Sequence, residues 1–97
     1  MKTQKQIFDD LIHRGEYPIR VINREENSNK FINFDEYPEA SYVVECNGHT
    51  HDDDGFTHIL NSSYIMFYYD NNGIEIGFHY VDDVDDMYSY KQFKMGA

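Results

Sequence analysis

Residues 63–81 constrain the fold of this chain more than any other stretch. Tyr64-Ile65-Met66-Phe67-Tyr68-Tyr69 is an unbroken run of bulky apolar residues, and after Asp70 comes the cluster Asn71-Asn72-Gly73. Beyond it Ile74, Ile76, Phe78 and Tyr80 alternate with Glu75, Gly77, His79 and Val81. Two β-prone runs around an Asn/Gly cluster define an antiparallel hairpin, because Gly supplies the positive φ that a tight reversal needs. Strands are therefore expected over 63–70 and 74–81. A hairpin alone is marginal in water, so its apolar face calls for further strands or a helix. The aromatic rings of the run are expected in the core on one face, with any exposed tyrosine free to anchor an interface.

The remainder of the chain supplies those layers. Thr3 can cap a helix in which Ile7, Phe8, Leu11 and Ile12 share one face, and Gly15 ends it. Residues 18–22 read as a first or edge strand, where Pro18 is tolerated, with Ile19 and Val21 facing one way and Arg20 and Ile22 the other. The polar residues 23–30 form a loop. A short strand is expected over 31–34, stopped by Tyr37-Pro38. In the strand over 41–46, Tyr42, Val44 and Cys46 share one face and Val43 and Glu45 the other, with Asn47-Gly48 as the turn that follows. Residues 82–95 fit either a closing helix or a final strand. Acids first and Lys91 and Lys94 last favour the helix. The expected fold class is α+β: an N-terminal helix packed on an antiparallel sheet of about four strands, with a short C-terminal helix or final strand. At 97 residues the chain is expected to be a single small acidic domain spanning 1–97.

Charge separates along the chain. The 8 Lys and Arg all lie before residue 31 or after residue 90, and 13 of the 18 Asp and Glu lie between those limits, for a net charge of −10. Such a surface repels phosphate, which argues against direct binding of nucleic acid or an anionic membrane and calls for a basic partner. The N-terminus meets Asp9 and Asp10 before any apolar run develops, and Cys46 is the only cysteine. A cytoplasmic setting is therefore expected.

Little in the chain points to catalysis or to a cofactor. Cys46 shares a strand face with Tyr42 and Val44 and reads as a small core residue rather than a nucleophile. No nucleophile elbow, phosphate loop, dinucleotide fingerprint or zinc-protease helix occurs. The segment from His49 to His58 gathers three imidazoles and three carboxylates, and reads first as a solvated loop. Its alternative is a metal-binding module, or a metal-dependent enzyme, built on His49, His51, Asp53 and His58.

In size, acidity and tyrosine content the chain resembles the small acidic proteins with which phages and mobile elements block host defence, and toxin-neutralising immunity proteins. That likeness implies a non-enzymatic acidic binding protein or inhibitor, with a nucleic-acid mimic as one form of it, that occupies the basic surface of a nuclease, restriction enzyme or other nucleic-acid-handling protein. The expected partner-binding residues are Asp52, Asp53 and Asp54, the pair Asp70 and Glu75, and the cluster Asp82, Asp83, Asp85 and Asp86. The basic N-terminal region is expected to lie away from them. A structural or assembly subunit, in which strand edges matter more than charge, is the remaining alternative.

Overall fold

The computed structural model describes residues 3–27 and 31–82. In chain order it contains α1 (Gln4–His13), β1 (Tyr17–Asn23), one 3-10 turn (Arg24–Glu26), β2 (Tyr42–His51), β3 (Thr57–Tyr69) and β4 (Glu75–Val81). The described strands form one antiparallel sheet in the order β1-β2-β3-β4. The class is α+β, as expected. The closing helix or strand anticipated over 82–95, with Asp83, Asp85 and Asp86 in it, lies outside the described residues.

Both ends of α1 are set by local chemistry. Thr3 Oγ1 accepts the Gln6 N–H (3.1 Å) while Gln6 Oε1 accepts the Thr3 N–H (2.8 Å), so the cap satisfies two donors reciprocally. Gly15, at φ +89°, lets its own N–H reach Ile12 O (3.0 Å) and the Glu16 N–H reach Leu11 O (2.9 Å). Ile7 and Leu11 are buried and Phe8 partly so, but Ile12 is exposed. It stands about 100° around the helix from Leu11 and so falls off the narrow stripe that meets the sheet.

β2 and β3 run further than their sequences suggest. Tyr42↔Tyr69 through Asn47↔Tyr64 pair in register, residues 61–63 then have no opposite number, and pairing resumes at Gly48↔Leu60 and continues to His51↔Thr57. Asn47-Gly48 is therefore a bulge and not a turn. Glycine is needed there because a Cβ would come within 2.9 Å of the Ser63 Cβ. A second bulge, between Tyr68↔Gly77 and Tyr69↔Glu75, puts Glu75 on the same sheet face as Phe78, which pairs with Phe67. The simple alternation expected for β4 fails at that point.

Apolar side chains occupy both faces of the sheet, not one. Val44, Cys46, Ile65, Phe67 and Tyr69 pack under Ile7 and Leu11 of α1. On the opposite face Val43, Met66, Tyr68 and Val81 are covered by Ile32, Phe34 and Ala40. The strand expected over 31–34 does not form. Successive turns replace it, with Glu36 N–H on Asn33 O (3.3 Å), Tyr37 N–H on Phe34 O (3.2 Å) and Ala40 N–H on Tyr37 O (2.9 Å). Arg24 holds this cover in place: its guanidinium donates to the carbonyls of Ala40 (2.8 Å), Tyr37 (3.0 Å) and Pro38 (3.1 Å) and lies 4.6 Å over the Phe34 ring.

Tyr37 stacks on the buried Tyr68 with ring centroids 4.0 Å apart, and a Cβ on Gly77 would collide with its ring. Gly77→Ala should therefore cost about 1–3 kcal/mol through overpacking. In a Tyr37→Ala background the same change should be nearly free, and a double-mutant cycle from denaturant unfolding measures that coupling.

Candidate functional site

The two hairpin turns are chemical copies of each other. In the first, the Asp52 N–H donates to Phe56 O (3.0 Å), Asp52 Oδ1 accepts the N–H groups of Asp54 (3.0 Å) and Phe56 (2.9 Å), and the Gly55 N–H returns to Asp52 O (3.0 Å). In the second, Asp70, Asn72, Ile74 and Gly73 make the corresponding four bonds at 2.9, 2.8, 2.9 and 3.0 Å. Gly55 and Gly73 both take positive φ, +89° and +80°. The shared template is Asp-x-x-Gly-apolar, so Asp52 and Asp70 act first as turn-forming acceptors. Asp53 and Asp54 project from the first turn, and Phe56 and Ile74 leave the two turns exposed.

The solvated loop expected at 49–58 is thus a two-stranded ribbon. His49, Thr50 and His51 belong to β2, while Thr57 and His58 belong to β3. Each imidazole has its own partner: His49 Nε2 faces Glu16 (3.5 Å), His51 Nδ1 bonds the Thr57 hydroxyl (3.0 Å) and His58 Nε2 bonds Asp52 Oδ2 (3.1 Å). Among the described residues, no three His, Cys, Asp or Glu side chains converge on a point where a metal ion could sit. Cys46 is buried in the core beneath α1, and burial pushes its thiol up to about 12.

The expected acidic residues are not gathered into one patch. Asp52–54 cap one end of β3 and Asp70 follows the other, and a thirteen-residue strand separates them by roughly 40 Å. Asp82 directly follows Val81, whose partner Tyr64 lies partway along β3. Asp83, Asp85 and Asp86 lie outside the described residues. Nor do the arginines keep away: Arg14 pairs with Glu75 (2.6 Å) and Arg20 with the buried Glu45 (2.7 Å). Glu75 is thereby neutralised, while Glu25, Asp35, Glu36, Glu39, Asp53, Asp54 and Asp82 are exposed and have no ion pair among the described residues.

Four of those acids, Glu25, Asp35, Glu36 and Glu39, escaped the sequence-based site. The Arg24 N–H bonds Ser41 O (3.0 Å) and the Ser41 N–H bonds Tyr69 O (2.7 Å), which brings the ends of three chain segments together. Glu25 and Glu39 consequently join Asp70 at that end of the sheet. Glu25 was hidden because it precedes the cation-free stretch, and the folding of 31–41 over the sheet, which places Glu39, leaves no periodic signal. A small open cleft of about 280 Å³ lies on the other face of this end, lined by Ile7, Asp10, Arg14, Tyr69 and Glu75 among others.

Among the described residues no helix is long and apolar enough to cross a membrane. No protein-family model, curated protein or solved structure matches the chain.

Two outcomes test this geometry. The hydrogen bond with His58, and then that from the Phe56 N–H, hold the Asp52 carboxyl below the usual Asp range. Its stabilising effect is complete above the unfolded value near pH ~4 and is lost as pH falls through the lower folded value. Amide exchange at Gly55 and Phe56 should accelerate in that acid range before the core opens, and Asp52→Ala should show fast exchange already at neutral pH. Cys46 should react with thiol reagents at pH 8 only as the protein unfolds; labelling at the rate of an exposed cysteine would contradict its burial.

Proposed function

We propose that this chain is a non-enzymatic acidic binding protein of the cytoplasm that inhibits or escorts a nucleic-acid-handling protein by occupying its basic surface. One observation carries this: Arg14, Arg20 and Arg24 are consumed by Glu75, Glu45 and backbone carbonyls, while the carboxylates of Glu25, Asp35, Glu36, Glu39, Asp53, Asp54 and Asp82 face solvent without ion pairs among the described residues. Arg14 and Arg20 each offset a carboxylate of their own chain and Arg24 is committed to backbone carbonyls, so these carboxylates reach solvent without a described cation beside them. Complementary charge of this kind speeds encounter and selects basic partners more than it adds affinity.

Supporting acids are spread along a described fold 43 Å long and only 17 Å thick. Duplex DNA of that length carries about 25 charges, several times the number offered by these carboxylates. A charged contact at each end of a basic groove suits this spacing better than a continuous imitation of a phosphate ladder. The ribbon end contributes Asp53 and Asp54, and the far end Glu25 and Glu39. Asp82, which follows Val81 opposite Tyr64, adds a carboxylate between them.

Binding to a basic nucleic-acid-binding partner should weaken steeply between 50 mM and 0.5 M salt and be competed by duplex DNA. Changing Asp53 and Asp54, or Asp82, Asp83, Asp85 and Asp86, to Asn should reduce retention on the partner while the melting temperature stays nearly constant. Salt-independent retention would refute an electrostatic role.

A further inference from the structure

β4 is the outermost strand of the described sheet, and its two faces differ sharply. On the α1 side Ile76, Phe78 and Tyr80 stand 36%, 48% and 63% exposed, because α1 covers Phe67 and Ile65 but not their β4 partners. On the opposite side the 31–41 segment is tied to β4 by the Tyr37 hydroxyl on Phe78 O (3.2 Å) and by His79 Nε2 on Phe31 O (2.9 Å). That segment carries the exposed, unpaired Asp35 and Glu36. An apolar strip therefore runs along one side of the edge and an acidic segment along the other.

From this juxtaposition we propose that β4 is the docking edge for an extended segment of the basic partner, which adds as a further antiparallel strand. The proposal rests on the basic-partner function above and names the chemistry of the contact. Side chains of an added strand alternate between the two faces, so the fitting sequence alternates apolar residues, set against Phe78 and Tyr80, with Lys or Arg, set toward Asp35 and Glu36. Main-chain hydrogen bonds supply the affinity and the two faces supply the selectivity. Charge disfavours a second copy, which would bring its own Asp35 and Glu36 segment into a like-charged neighbourhood.

The probe is a synthetic peptide, Lys-Val-Lys-Phe-Lys-Val-Lys, titrated into the full-length 15N-labelled protein, with the Glu-for-Lys peptide as control. The expected result is chemical-shift change and slowed amide exchange at residues 76–80, with affinity at least tenfold weaker for the Glu peptide. Asp35→Asn with Glu36→Gln should weaken the Lys peptide several-fold, and so should Phe78→Ser, each with an unchanged far-ultraviolet spectrum. The docking edge is overturned if the Lys peptide perturbs only the ribbon or the acids at the two ends, an outcome that leaves the basic-partner function standing. It is equally overturned if the β4 amides of the free protein are already protected throughout, whether concentration-independently by the chain's own residues or concentration-dependently by a second copy. If the peptide binds nowhere and native retention on basic partners is salt-independent, both the edge and the basic-partner function fall.

Discussion

β3 carries bulky side chains on both faces from Tyr64 to Tyr69, and everything else in the described fold answers that fact. A two-sided apolar strand must be sandwiched, and this chain has a single described helix with which to do it. α1 covers Ile65, Phe67 and Tyr69, while the turns of 31–41 cover Met66 and Tyr68. The second cover has little regular hydrogen bonding of its own. It is held by what it touches: the Tyr37 ring on Tyr68, the Tyr68 hydroxyl accepting the Asn33 N–H (2.8 Å), and the Arg24 fork across three carbonyls. The Tyr68 hydroxyl is thus satisfied by the cover and three of the cover's carbonyls by Arg24, which is how a segment without helix or strand can serve as a wall of the core.

Legibility in the sequence tracked the range of the interaction. The Thr3 cap, Gly15 at the end of α1 and Gly73 in the second hairpin depend on residues a few positions apart, and these were readable. Asn47-Gly48 misled because the dipeptide that favours a reversal also suits a bulge, and only the three unpaired residues across the ladder decide between them. The short strand expected over 31–34 rested on Phe31, Ile32 and Phe34, whose burial is real but is achieved by turns. Arg24 gave no sign of its role, since its acceptors lie 13 to 16 residues away in sequence. Of the candidate site, the identity of the solvent-facing acids at 53 and 54 was legible, while the neutralisation of Glu75 and the turn-forming role of Asp70 were not.

The acid excess also takes on a more specific form. Glu45 is buried in the sheet and tolerable there because Arg20 sits directly opposite it on β1. Arg14 performs two tasks at once, pairing with Glu75 and lying 5.2 Å from the Phe67 ring centroid. The three arginines are therefore structural parts, and the fold rather than the composition determines which of the described carboxylates are left for solvent or for a partner.

The twin turns have one more implication. Asp52 to Phe56 and Asp70 to Ile74 share a backbone bonding scheme, so the two middle positions of each are the only part of the template left without a prescribed side-chain task. One turn fills them with two aspartates and the other with two asparagines, the isosteric neutral counterparts. The molecule thereby contains a charged version and an uncharged version of a single device at opposite ends of β3, and at the uncharged end it is Glu25 and Glu39, from other segments, that supply the exposed negative charge.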